Sequence, residues 1–269
     1  MLSRLAMTCV LTVLPMVGWA GPHQDLYNAM RLDELLQVMR NEGVTYGDEL
    51  ASDMFANGGS GSWGAQVSDI YDIDRMRRSV TQGLERSIAE DDAARMTAFF
   101  ETELGARIIG LEISAREAMT DAEIEQAARA AFHTGVRAED PKIDPIREYV
   151  EVNNLVEANV EGAMNSSYQF YRGLIQGGAL DQTEEDILSE IWSTEGFTYN
   201  DTEEWVYGFL MLAYGPLAKE ELETYTEISK SDAGQALNRS LFVAFNGMYD
   251  DISYAMGLAA AHQLSGQDL

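Results

Sequence analysis

The sequence predicts an all-α protein, a helical bundle built from two related, duplicated half-units. Three observations predict it. Ala, Leu, Glu and Met recur at three- and four-residue spacing, which is the period of a helix with one apolar face. Proline is scarce, 5 in 269 residues, and no long run alternates Val, Ile or Thr with polar residues as a strand would. Residues 33–48 (DELLQVMRNEGVTYGD) return as residues 186–201 (DILSEIWSTEGFTYND), with Asp33, Leu35, Glu42, Gly43, Thr45, Tyr46 and Asp48 identical to their counterparts. About one identity is expected by chance from ordinary residue frequencies.

Residues 1–20 carry one cation, Arg4, then an apolar run, then Gly18, Trp19 and Ala20, the small-residue ending that a signal peptidase reads. They are expected to be a leader cleaved near Ala20, giving a periplasmic or secreted protein. The apolar run is too short to span roughly 30 Å of hydrocarbon. The single cysteine, Cys9, lies in that leader, so the exported chain cannot depend on disulfides.

The first repeat unit is expected over residues 21–119. Within it, a helix on Leu35, Val38 and Met39 is expected to stop at Gly43, whose freedom suits a helix end, and to restart with Thr45 as N-cap and Asp48 three residues on. The corresponding helix on Ile187, Leu188, Ile191 and Trp192 should stop at Gly196 and restart at Thr198. A second match pairs residues 88–108 with 217–237. It shares Ala89/Ala218, Thr97/Thr226 and Gly105/Gly234, with Thr102 and Ser231 as N-caps and the two glycines admitting a close helix. The two matches differ in displacement, 153 against 129, which implies an insertion of 24 residues in the first copy. The Gly/Ser-rich stretch at 57–64 is its expected centre and should hold no fixed helix.

Connecting helices are expected over 120–183: one from Asp121 to Gly135, a break at Pro141 and Pro145, and a longer helix from Ile146 to Gly177. The second unit occupies 184–269. Its last stretch, Gln235 to Leu264, is apolar nearly all round and should be buried, and Asp250 and Asp251 exclude it as a membrane span.

The formal net charge is −27. A surface this acidic repels phosphate backbones and anionic headgroups, which argues against nucleic acid and against electrostatic membrane docking; it attracts cations and basic partners.

The Glu-Glu-Leu-x-x-Tyr-x-x-Ile helix at Glu220 to Ile228, running into Ser231-Asp232-Ala233-Gly234-Gln235-Ala236-Leu237, resembles a family of secreted helical domains of unknown function in Gram-negative bacteria. The resemblance covers residues 184–263 and, less closely, 32–119, and it departs at Ile228 and Ser229, where the family is more aromatic. It implies a helical fold and an exported compartment. It implies no site, because the family has no established activity.

No nucleophile elbow, phosphate loop or dinucleotide fingerprint is present, and no catalytic residue or cofactor is assigned. His23, His133 and His262 stand far apart, and the acidic runs at 69–74 and 181–186 lack the alternating ligands and central glycine of a calcium loop, so no metal is assigned. Those runs read as acidic first turns of helices. Candidate binding residues are Glu42, Tyr46, Glu195 and Tyr199, which recur at the repeat corners, and Trp63 in the glycine-rich stretch, either a binding finger or a passive anchor. Three functions stay open: a non-enzymatic module binding a periplasmic protein or peptide between the half-units, a carrier of a small apolar ligand or lipid, and a hydrolase using Glu42 and Glu195.

Overall fold

A computed structural model describes residues 21–55 and 61–266. The expected leader and residues 57–60 of the glycine-rich stretch lie outside the described residues. Among the described residues there are thirteen helices and no strand. In order they are α1 (Pro22–Ala29), α2 (Leu32–Met54), α3 (Trp63–Ile70), α4 (Ile73–Ser87), α5 (Glu90–Phe100), α6 (Glu103–Ala118) and α7 (Ala122–Arg137). Then follow α8 (Ile143–Asn153), α9 (Leu155–Gln176), α10 (Glu184–Ser193), α11 (Glu195–Tyr214), α12 (Lys219–Lys230) and α13 (Asp232–Leu264). The all-α expectation holds, and no described helix is long and apolar enough to cross a membrane.

The last helix organises the bundle. α13 is 33 residues long and packs along α9, with α4 and α5 on its other sides. Small residues let α9 and α13 approach backbone to backbone: a Cβ on Gly173 would strike the main chain of Tyr254 and Leu258, and one on Gly257 would strike that of Phe170. Ala259, Ala260 and Ala261 are fully buried nearby. Asp72 and Asp74 start α4 and Glu184 to Asp186 start α10, while Asp69 lies in the last turn of α3. Asp72 caps α4 by accepting from the Arg75 amide at 2.8 Å, and Thr183 with Asp186 forms a capping box on α10.

The expected corners at the first repeat are not there. α2 runs unbroken through Gly43, and Thr45 sits inside it, donating its hydroxyl to the Asn41 carbonyl at 3.2 Å. Gly43 is a packing position: a Cβ there would fall within the ring of Tyr71, which is buried. In the second copy the chain pauses at Thr194, two residues before Gly196, and Thr198 lies within α11. One copy is thus the middle of a single helix and the other joins two, so the 153-residue displacement links unlike places. The expected helix from Ile146 to Gly177 is likewise split, at Asn154, which takes a left-handed φ of 50°. Trp63 and Gly64, placed in a non-helical insertion, open α3 instead.

The two segments of the second match make the same local bonds. Thr102 donates to the Phe99 carbonyl at 2.7 Å and accepts from the Gly105 amide at 3.1 Å; Ser231 donates to Ile228 at 2.6 Å and accepts from Gly234 at 3.1 Å. A Cβ on either glycine would strike the end of the preceding helix, which is the close approach expected of them. Thr97 and Thr226 are both buried and each donates to the carbonyl four residues back at 2.9 Å.

The likeness extends outward. Arg31, between α1 and α2, and Asn154, between α8 and α9, are both left-handed, with φ of 52° and 50°. α1 packs on α5 as α8 packs on α12, and α4 packs on α13 as α11 packs on α6.

Candidate functional site

α6 carries two charged groups on an otherwise apolar face. Ile108, Ile109 and Ala115 are buried, while Glu112 and Arg116, four residues apart and therefore on one side of the helix, face a cavity of about 1030 Å³ that is open to solvent on one side. The cavity is walled by α2, α6, α9, α11 and α13, with α8 and α12 closing one end.

At that end Tyr214 donates its hydroxyl to Glu112 at 2.6 Å. Tyr149 meets the Tyr214 ring edge-on at a centroid distance of 5.4 Å and stacks on Tyr225 at 5.0 Å. The Tyr225 hydroxyl also acts on Glu112, and no basic side chain does. Part of the Glu112 surface opens to the cavity, yet protein encloses its carboxyl closely enough that burial, outweighing the tyrosine hydroxyls, raises its pKa to about 7. Burial and the neighbouring carboxylate push Tyr149, Tyr214 and Tyr225 upward as well, so all three stay neutral.

Further along the wall Arg116 holds both carboxylate oxygens of Glu42, at 2.7 and 2.6 Å, and lies over the Trp205 ring at 5.0 Å from its centroid. A forked ion pair stacked on indole keeps this arginine in one orientation. Next to it a second space of about 700 Å³, walled by Tyr71, Phe170, Leu174 and Met256, shares Met39, Glu42, Tyr46, Ser166 and Tyr249 with the first. Those shared side chains form the divide between a polar-ended chamber and an apolar one.

The structure brings together only part of the expected set. Glu42 and Tyr46 line the cavity. Glu195 and Tyr199 stand at the exposed start of α11 and line neither space. Trp63 is 2% exposed, packs edge-on against Phe55 and donates its indole N–H to the Gly47 carbonyl at 2.9 Å, so it anchors α3 on α2. Glu112, Arg116, Tyr149, Trp205, Tyr214 and Tyr225 are not among the candidate binding residues read from the sequence. One signal was present: Arg107-Ile108-Ile109-Gly110-Leu111-Glu112-Ile113 sets an acid within an apolar helical run. Tyr225 stands in the Glu220–Ile228 motif, which carries no site, and Tyr149 and Tyr214, on two other helices, give no signal. Among the described residues no group of three or more His, Cys, Asp or Glu could hold a metal ion. His133 faces Glu204 at 3.1 Å and His23 faces the Ile88 carbonyl at 2.9 Å.

Residues 74–133 match the model of the family described as "Uncharacterized protein conserved in bacteria (DUF2059)". Over that stretch, which runs from α4 into α7 and includes Glu112 and Arg116, the chain is similar to a bacterial family of unknown function. The match lies in the first half of the chain, whereas the sequence resemblance was drawn mainly from residues 184–263. No curated protein and no solved structure gives a match.

Proposed function

We propose that this is an exported, non-enzymatic binding protein that holds a small amphipathic ligand in the cavity between two helical half-units. The observation that carries this reading is the cavity: at about 1030 Å³ it is the size of a small-molecule site, with aliphatic and aromatic side chains interspersed with polar and acidic ones. Export is supported by the leader pattern of residues 1–20. The half-units in this proposal are α1–α6 and α8–α13, with α7 between them. The matching corners, the left-handed residues at Arg31 and Asn154 and the reciprocal packing support that pairing, which starts the second unit at α8 instead of residue 184. The test is displacement of a neutral apolar fluorophore such as N-phenylnaphthylamine. Its fluorescence should rise on binding and fall away in a Leu241→Trp variant that fills the cavity; no binding, or binding unchanged in the variant, removes the carrier reading.

A second reading, docking of a periplasmic protein or peptide, is favoured by a different observation. Trp192 and Phe197, at the junction of α10 and α11, are 61% and 78% exposed, with Leu188 beside them. A Trp192→Ala, Phe197→Ala double variant should then lose any partner captured from periplasm. The paired-carboxylate hydrolase has no such support, since Glu195 lines neither space.

A further inference from the structure

The charges bordering the cavity discriminate between ligands. Six carboxylates line it, Glu42, Glu49, Glu112, Glu117, Glu125 and Asp201, against one base, Arg116. That base is already engaged, by Glu42 on its fork and by Trp205 on its face. Glu125 and Asp201 share Arg129, at 2.8 and 3.1 Å. An anionic amphiphile entering here would find no free cation and several like charges. Glu112 is the reverse case. It sits at the enclosed end with tyrosine hydroxyls as partners and no counter-cation, an arrangement that is costly for an ionised carboxylate and is relieved by a cation brought from outside. The net charge of −27 adds a long-range field of the same sign.

Resting on the reading of the cavity as a ligand site, we infer that its ligand is an organic cation: an amine or quaternary ammonium group on an apolar chain. The charged group lies beside Glu112, and the chain runs along Met39 and Phe242 towards the apolar chamber.

The experiment is isothermal titration of the full chain with decylamine, decanol and decanoate, kept below micelle formation. Decylamine should bind at least ~tenfold more tightly than decanol, a difference of one ion pair in a partly dry site, and decanoate should bind weakest. Glu112→Gln should bring amine and alcohol to within about threefold of each other, while Glu220→Gln, a charge removed from the surface, should leave the preference intact. A measurement on the unaltered protein gives an independent check. Amine affinity should rise between about pH 6 and pH 8 as Glu112 ionises, since Tyr214 on α11, Tyr225 on α12 and Tyr149 on α8 stay neutral there and Arg116 stays charged. Decanol affinity should not move. Equal binding of amine and alcohol, a preference for decanoate, or a preference that survives Glu112→Gln overturns the inference while leaving the cavity a ligand site. No binding by any of the three, or amine binding unaffected by Leu241→Trp, overturns both.

Discussion

Tyr214 and Glu112 share a 2.6 Å hydrogen bond that is insufficient to keep the carboxyl at its ordinary acidity. Burial wins, and the pKa rises from 4.5 to about 7. Between those values the unfolded chain has released this proton and the folded chain still holds it. The stability Glu112 contributes is therefore complete below about pH 4.5 and is lost as pH rises through about 7. At ~1.4 kcal/mol per decade of proton affinity, discounted for the side facing the cavity, the loss is about 2 to 3 kcal/mol. Urea melts should find Glu112→Gln more stable than the parent by that amount at about pH 8, with the difference vanishing near about pH 4.5.

Arg116 and Glu42 should behave as a unit. Both are about a quarter exposed, so the pair lies between the surface case, worth little, and the buried case, where losing one partner strands a charge. Arg116→Met should cost about 2 kcal/mol, and adding Glu42→Gln should recover most of it. A coupling energy near zero in the double-mutant cycle would mean that the fork is held by packing on Trp205 alone.

Gly43 and Gly196 occupy the same place in the sequence repeat but opposite environments. Alanine at 43 must displace the buried Tyr71 ring and should destabilise by about 1 to 3 kcal/mol. Alanine at 196 meets nothing within 4 Å and should stabilise α11 by about 0.5 kcal/mol. Thermal melts of the two variants moving in the same direction would contradict this assignment.

Thr102 and Ser231 are the matched pair. Each satisfies one orphan amide at the start of its helix, and Thr102→Ala and Ser231→Ala should each cost about 1 kcal/mol. Near-equal losses in chemical denaturation are expected, because the two corners present the same bonds at the same distances. A loss at one site alone would separate them.

Capping signals and apolar period are local, and they were legible. Thr102 and Ser231 are the N-caps expected of them, because a side chain within three residues of a free amide acts with little help from the rest of the fold, whereas Thr45 and Thr198, expected as caps in the same way, lie inside α2 and α11. The long buried last helix was legible for the same reason. The corners at Gly43 and Gly196 were misread because glycine in a helix has two uses, ending it or admitting a neighbour, and the choice depends on what lies opposite. Asn154 ends α8 in a left-handed turn that no proline or glycine announces. Of the candidate residues, Glu42 and Tyr46 reach the cavity because they share a face of α2, while Glu195 and Tyr199 sit where α11 is open to solvent.

The sequence by itself determined the helical class, the large negative charge and the paired corners at Thr102 and Ser231, all of which depend on composition or on neighbours a few residues apart. Tertiary structure alone decided that Glu112 would stand without a counter-ion among tyrosines from α8, α11 and α12, and that Arg116 would close on Glu42. The physical reason is separation along the chain. Contacts across more than 70 residues are set by how helices stack, and a carboxylate's acidity is set by what that stacking leaves around it.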